Sequence, residues 1–425
     1  MSRIRQEASV AVLGGGLAGL AAATRLHEAG ADVTVYEARD RVGGRVWSED
    51  IAEAGNPSRV IERGAEFVLT GYTTMRRLLD LTGLSLVDTG MSYYVRELAD
   101  TPDITTQDVV AAGRAAALNA RTSDSALSAE SVLRRLNFED RLVDALRARI
   151  EISTAVASDL VSADTLEHIA SFEPLPSWRV EGGNQNLPKA LAARLGDAVR
   201  YKDLVHEVHE AGQDLVVQSS SGSKNFDAIV IALPLAIIRD PSSIVLPLPP
   251  WKRRALEAVL QGQAAKLHLP LESTPPTSAV MSTRDRFWNW TALDRSGAVT
   301  PVLTSFMGSP GALDRAAGSQ GDFQDWVDAV RSMRPDLEFS NVDAITTVWG
   351  KDPLSRGAYA AYAPGSTRND AEVLERPVGN IFFAGEYADP DFTGLMEGAL
   401  RSGERAADQA MRSALGRDVS PVGTR

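Results

Sequence analysis

A chain of 425 residues, 44% hydrophobic, 24% charged and 6% aromatic, is too long for one ordinary core and has a soluble globular composition, which excludes disorder or a fibrous repeat as descriptions of the whole. The 44 Lys and Arg against 56 Asp and Glu leave a net charge of −12, so there is no basic field to draw in a phosphate backbone and nucleic acid is not an expected partner. With no cysteine, disulfides, thiolate metal sites, a cysteine nucleophile and any group tethered through sulfur are excluded. In chain order, Met1 to Ala8 are polar and charged, without the basic and apolar regions of a secretory signal. The run Val10 to Leu13 reads as a buried strand, Leu17 to Glu28 as a helix closed by Gly30, and Val33 to Tyr36 as a second strand, which together make a βαβ unit. Leu78 to Ala170 reads as mostly helical, rich in Ala, Leu and Arg, with no glycine between Gly113 and Gly182. A helix is expected over 187–195, then a strand, turn and strand in "LVHEVHEAGQDLVVQSSSG", and a buried parallel strand in "FDAIVIALP". After the prolines of 241–250 comes a strand-rich, Trp-containing region to Pro364, and the end of the chain reads as strand, loop and helix. No apolar stretch reaches the roughly 18 residues of a membrane span, so no membrane contact and a cytoplasmic location are expected.

Gly14, Gly16 and Gly19 form G-x-G-x-x-G between the first strand and helix. Glu37 ends the second strand, where an acidic side chain can hold ribose hydroxyls. Gly14 suits the tight turn, Gly16 lets backbone approach a pyrophosphate at the helix N-terminus, and Gly19 permits close packing. Just beyond, "EARDRVGGRV" supplies Gly43, Gly44 and Arg45, which can close over the pyrophosphate from the other side; the alternative is a surface turn with a solvated arginine. On these residues the chain resembles the flavin-containing amine oxidase family, and the likeness runs over nearly all of it, weakest over 100–175. The C-terminal "FFAGEYADPDFTGLMEGALRSGERAA" is the most specific part of the match.

The resemblance implies an α/β fold in which a Rossmann-like FAD-binding domain is joined to a discontinuous α+β substrate-binding domain. The first would be built from residues 1–77, 179–240 and 365–417, and the second from 78–178 and 241–364. Contacts to a non-covalent FAD would come from Gly14, Gly16, Leu17, Ala18, Gly19, Glu37, Ala38, Arg39, Gly43, Gly44, Arg45, Gly64, Ala65, Glu66, Val205, Gly385, Glu386, Gly394 and Met396. By resemblance, Val205 meets the adenine and Glu386 the ribityl chain. Gly394 to Ala399 open a helix toward the flavin pyrimidine, where N–H groups stabilise the charge of a reduced flavin.

Lys266 sits in an apolar strand pattern, "GQAAKLHLPL", where an ammonium must be paired, snorkelling or functional. It matches the family lysine that holds a water beside flavin N5 and is the expected catalytic residue. Tyr359, Trp349, Leu395 and Phe67 are the expected substrate-binding residues. By the same resemblance Tyr359 would form one wall of an aromatic cage, and the second wall, commonly aromatic in the family, would be Leu395 here. Phe67 stands where related amino-acid oxidases can present an arginine, and Arg63 precedes the glycine, so an amino acid lacks an obvious anchor. Glu66 has three readings: a partner for a second ammonium, an exposed carboxylate, or a structural group beside the flavin. The residues around 80–100 and the Trp288-Asn289-Trp290 cluster are expected to shape the cavity, the alternative for the tryptophan pair being a packed core.

The five histidines form no metal motif, and His206 and His209 fall on opposite faces of a strand. No nucleophile elbow or Walker A sequence occurs. The expected activity is amine oxidation. Hydride leaves the amine alpha carbon for flavin N5, the imine hydrolyses, and molecular oxygen reoxidises the flavin to give hydrogen peroxide. The alternatives are a flavin desaturase or dehydrogenase like phytoene desaturase or protoporphyrinogen oxidase, and a non-catalytic FAD-binding scaffold. Assembly as a homodimer is left open.

Overall fold

Residues 8–52, 59–122, 126–166, 175–294, 297–318, 321–366 and 370–415 are described by the computed structural model. A five-stranded, all-parallel sheet gathers three distant parts of the chain, in the order Ile381–Phe383, Ala228–Ile231, Ser9–Leu13, Asp32–Glu37, Val199–Tyr201. Val12 is the central register point, opposite Val35 on one side and Val230 on the other. Both faces of this sheet are covered at its centre, which is why Ser9–Leu13, Ala228–Ile231 and Ile381–Phe383 are apolar runs without alternation. Val10 and Val12 pack under the helices, while Ala11 and Leu13 pack against Val205, Val208 and Val217 of an antiparallel three-stranded meander over 205–226. The helix Leu17–Glu28 lies against the C-terminal helix Met396–Leu415 on the first face.

A second, six-stranded sheet runs Ile345–Val348, Ala264–Pro270, Val302–Gly308, Phe287–Thr291, Ser278–Ser282, Glu97–Leu98, antiparallel except at its last pair. Its period of two separates two environments. Ala265, Leu267, Leu303 and Met307 meet the helices Pro310–Ala317 and Gln324–Met333. Lys266 and His268, with the cross-strand residues Phe306, Trp288, Thr304 and Trp290, point to the other face. All seven residues of Ala264–Pro270 are buried, so Lys266 is a buried lysine and not a snorkelling one.

Two regions carry more than their sequence pattern displays. The block after Leu78 is mostly helical but includes strands. Beside the helices Thr106–Arg121, Ala129–Arg135 and Asp140–Thr154 it holds short strands at Leu86–Asp88 and Glu97–Leu98, which pair with Trp178–Val180 and with the second sheet. The region read as strand-rich carries the two helices that back the second sheet. Among the described residues no helix is long and apolar enough to cross a membrane.

Candidate active site

The turn after the first strand is built as its glycines require. Gly14 has φ +106°, a region unfavourable to side chains, and its N–H donates to Tyr36 O at 2.8 Å. A Cβ on Gly19 would come within 1.9 Å of Gly14 O, so this glycine sets the contact between helix and turn, and it is the one expected cofactor residue that does not line the cavity. A Cβ on Gly16 would meet nothing within 4 Å; it stands at the helix N-terminus on the wall of open space. Glu37 is buried and accepts from the N–H groups of Gly15 at 2.9 Å and Arg39 at 2.8 Å, with burial pushing its pKa up.

From this turn a cavity of about 430 Å³ runs between the two sheets. It is lined by Gly14, Gly16, Leu17, Ala18, Glu37, Ala38 and Arg39 at the turn, by Gly43, Gly44, Arg45, Gly64, Ala65, Glu66 and Phe67, by Val205 and Lys266, and by Trp349, Tyr359, Gly385, Glu386, Gly394, Leu395 and Met396 near the end of the chain. The expected site residues thus converge on one space. Glu386 is held by Arg45 Nη1 at 3.1 Å and by the N–H groups of Ala360 at 3.2 Å and Gly394 at 3.1 Å. This ties the last strand, the Arg45 loop and the start of the C-terminal helix together.

Lys266 Nζ donates to Glu66 Oε2 at 2.7 Å and to Glu62 O at 3.0 Å. Glu66 also accepts from Trp290 Nε1 at 2.9 Å and pairs with Arg179 at 3.3 Å. Burial raises the Glu66 carboxyl pKa, but Lys266 and Arg179 outweigh it and hold the group below the usual range. The reading of Glu66 as an exposed carboxylate is therefore wrong, and its bonds to Lys266 and Arg179 leave it poorly placed to receive a second ammonium. Behind it, Glu62 accepts from Asn184 N at 2.7 Å and Ser48 Oγ at 2.8 Å, and burial pushes it up to about 7. A void of about 10 Å³ touches Glu62, Glu66, Arg179 and Thr304, at the lower limit for one water. His268, on the same face as Lys266, is buried rather than solvent-facing; burial and Lys266 lower its pKa to about 3, so it is neutral.

Aromatic side chains wall the far end. Tyr359 Oη donates to Ile152 O at 3.1 Å, and burial raises its phenol well above the usual range. Trp349 Nε1 donates to Arg63 O at 3.2 Å, while the Arg63 guanidinium lies 4.5 Å from the Trp47 ring, outside the cavity. Phe67 packs on Tyr93, Trp288 and Trp290 at centroid distances of 5.4–5.7 Å, and the two tryptophans stack at 4.1 Å. Both tryptophans line the cavity as well as being core. Leu395, 36% exposed, faces the opening. Tyr93 and Tyr94, within the stretch around 80–100 expected to shape the cavity, line this end, and so does Arg149, which sequence reasoning missed.

The family model described as flavin containing amine oxidoreductase matches residues 17–411. A putative flavin-containing monoamine oxidase of Mycobacterium tuberculosis is 28% identical over 460 aligned residues, covering 94% of this chain and 95% of its own. Polyamine oxidase 4 of Oryza sativa subsp. japonica is 26% identical, over 96% of this chain and 89% of its own. Among solved structures, cyclohexylamine oxidase from Brevibacterium oxydans has TM-score 0.80 at 20% identity, covering 97% of this chain and all of that one. Putrescine oxidase bound to putrescine has TM-score 0.79 at 22% identity, covering 95% and 99%.

Proposed function

Because the chain belongs to the flavin-containing amine oxidoreductase family, a family of flavin-dependent oxidoreductases acting on CH–NH or CH–NH2 groups, we propose that it is an amine oxidase using non-covalent FAD and molecular oxygen. The observation that carries the reading is the single cavity that begins at Gly14, Gly16 and Glu37 and ends between Lys266 and Tyr359. A dinucleotide flavin fits the residues present. The open side of Gly16 at a helix N-terminus suits a pyrophosphate, buried Glu37 a ribose, and the helix start at Met396 the electron-rich end of the ring. When bound, the flavin takes a hydride equivalent from carbon and passes two electrons to oxygen, giving hydrogen peroxide.

The protein's part is orientation and proton handling. Tyr359, fixed by its bond to Ile152 O, presents a ring face to the amine nitrogen, and Phe67 and Trp288 hold the apolar body and exclude water. Lys266 has three N–H donors, two of them committed to Glu66 and Glu62, which leaves one to hold a water or receive a proton path. The imine formed on losing hydride hydrolyses to a carbonyl compound and ammonia or a smaller amine.

The test is anaerobic mixing of the yellow holoenzyme with monoamines, polyamines and amino acids, followed by admission of oxygen and peroxide detection. Bleaching by at least one amine with stoichiometric peroxide is expected. A flavin that no amine bleaches rejects the reading. Hydride leaves from a neutral amine, so activity should rise with pH through the pKa of the bound amine. A flat profile counts against that order of events.

A further inference from the structure

Behind Lys266 lies a second carboxyl that the reaction above does not use. Glu62 is 2% exposed. Glu66 and Trp290 line both the main cavity and the small void behind it, whereas Glu62 lines only the void, so those two side chains are the partition between them. Lys266 Nζ spans the same partition, donating to the Glu66 carboxylate at 2.7 Å and to the main-chain O of Glu62 at 3.0 Å. On its outer side Glu62 faces Ser48 across a two-stranded ladder. Ser48 Oγ accepts from Gln185 N at 2.9 Å and donates to Glu62 Oε2 at 2.8 Å, and this half-buried hydroxyl keeps a second lone pair for solvent. Glu62 Oε1 accepts from Asn184 N at 2.7 Å. Glu62 thus stands between a hydroxyl that reaches water and the wall of the flavin space.

The charges around it favour a proton that comes and goes. Lys266 and Arg179 are both paired with Glu66, and among the described residues no ion pair is made by Glu62 itself. His268, two residues along the strand from Lys266, is neutral, and Arg63 is paired with Glu49 on the outer strand. With Glu62 ionised, the two carboxylates balance Lys266 and Arg179; with Glu62 protonated, one positive charge is left over. Burial pushes the Glu62 carboxyl up to about 7, and the Glu66 charge adds to the push, so both states are within reach at neutral pH. A hydride delivered to the adjoining space brings a negative charge. Charge of like sign nearby strengthens a carboxylate's hold on a proton, and the cluster then regains balance by taking one up.

We propose that Glu62 is a proton store coupled to the flavin: its carboxylate takes a proton from solvent through Ser48 when the flavin is reduced, and yields it when oxygen removes the electrons. The inference rests on the amine-oxidation reading only in needing a reducible flavin in the cavity. The substrate C–H bond breaks, its electron pair leaves with the hydride, and an iminium ion and an anionic reduced flavin remain while Glu62 becomes a carboxylic acid. Dioxygen then takes two electrons, the proton that came as hydride and the proton from Glu62, so hydrogen peroxide forms and the carboxylate returns. Glu62 touches neither substrate nor flavin. It acts through Lys266, Glu66 and the void, whose volume of about 10 Å³ is the least that holds one water.

The test uses holoenzyme carrying isotope-labelled glutamate, reduced electrochemically in the absence of amine and followed by infrared difference spectroscopy. At about pH 8, reduction should raise a protonated-carboxyl band that shifts in heavy water, and oxygen should remove it. Glu62→Gln should lack the band. Ser48→Ala, which takes one donor from the carboxylate and is the milder change should Glu62→Gln fail to fold, should move the pH at which the band is half formed upward by about one unit. The inference is overturned if wild type shows no such band between about pH 6 and 9, if the band survives in Glu62→Gln, or if Ser48→Ala leaves its pH dependence in place. Electrons here come from an electrode, so the two readings separate. A band that behaves as expected in a flavin that no amine bleaches upholds the proton store and rejects amine oxidation, and a chain that retains no flavin rejects both.

Discussion

At the scale of single residues, Lys266 and Glu66 are two charges nearly out of water, 2.7 Å apart, with Glu66 also held by Trp290 and Arg179 and Lys266 by Glu62 O. Removing one charge strands the other. Glu66→Gln should cost about 3–5 kcal/mol, because Lys266 and Arg179 are then left facing each other across a neutral amide. Lys266→Met leaves Glu66 the Arg179 guanidinium and should cost less. The double variant should recover part of the loss, so a double-mutant cycle by chemical unfolding should give a coupling of about 1–3 kcal/mol. A strictly additive result would mean that the pair carries no mutual stabilisation. Function separates from stability here. Lys266→Met holoenzyme should be reoxidised by oxygen roughly tenfold or more slowly in stopped-flow, and reoxidation at the wild-type rate would remove the role given to Lys266.

Elements explain where these residues stand and also how the helical block is held. Glu130, at the start of Ala129–Arg135, receives Arg147 from the next helix at 2.7 Å, Arg134 at 2.8 Å and Ser158 Oγ at 2.9 Å. The Arg147 bond, aided by the other two, holds its carboxyl at about 2 against an ordinary value of 4.5. The folded pKa is the lower one, so the stabilisation is complete above about 4.5 and is lost as pH falls toward about 2. Glu130→Gln should therefore cost about 1–2 kcal/mol at neutral pH, after allowance for the exposure of Arg134, and almost nothing near pH 2. Urea unfolding of both forms across that window measures the difference; a gap independent of pH would contradict the assignment. Much at this scale was legible in the sequence. The strand, turn, helix and strand around Gly14 follow from local periodicity and glycine placement, and "AAKLHLP" already put Lys266 and His268 on one face. The partner of Lys266, 200 residues earlier at Glu66, was not legible as a partner, since nothing local couples "RGAEF" to that strand. Arg149 escaped notice for a related reason. It becomes a cavity wall only when the helical block docks on the second sheet. The helices Pro310–Ala317 and Gln324–Met333 were hidden by short length and by Pro and Gly punctuation.

For the whole molecule, the parallel sheet is stitched from strands near residues 10, 35, 200, 230 and 382, so a dinucleotide lying across it would touch segments remote in sequence. The packing that brings these segments together leaves little slack. A Cβ on Gly403 would come within 2.2 Å of Ala18 O, where the C-terminal helix crosses the helix that begins at the glycine turn. A ligand binding only the assembled form stabilises it by mass action, about 2.7 kcal/mol when present at one hundred times its dissociation constant. Protein stripped of flavin should therefore melt at a lower temperature than holoenzyme, and added FAD should restore the difference in proportion to the logarithm of its concentration. Gly403→Val should lower the melting temperature and weaken FAD retention together, because separating those two helices displaces the turn that carries Gly16. With no cysteine to form a thioether, FAD should leave with the supernatant when the protein is acid-precipitated. Flavin that stays with the precipitated chain would overturn non-covalent binding, and a melting temperature indifferent to added FAD would show that the cofactor does not hold the distant segments together in this way.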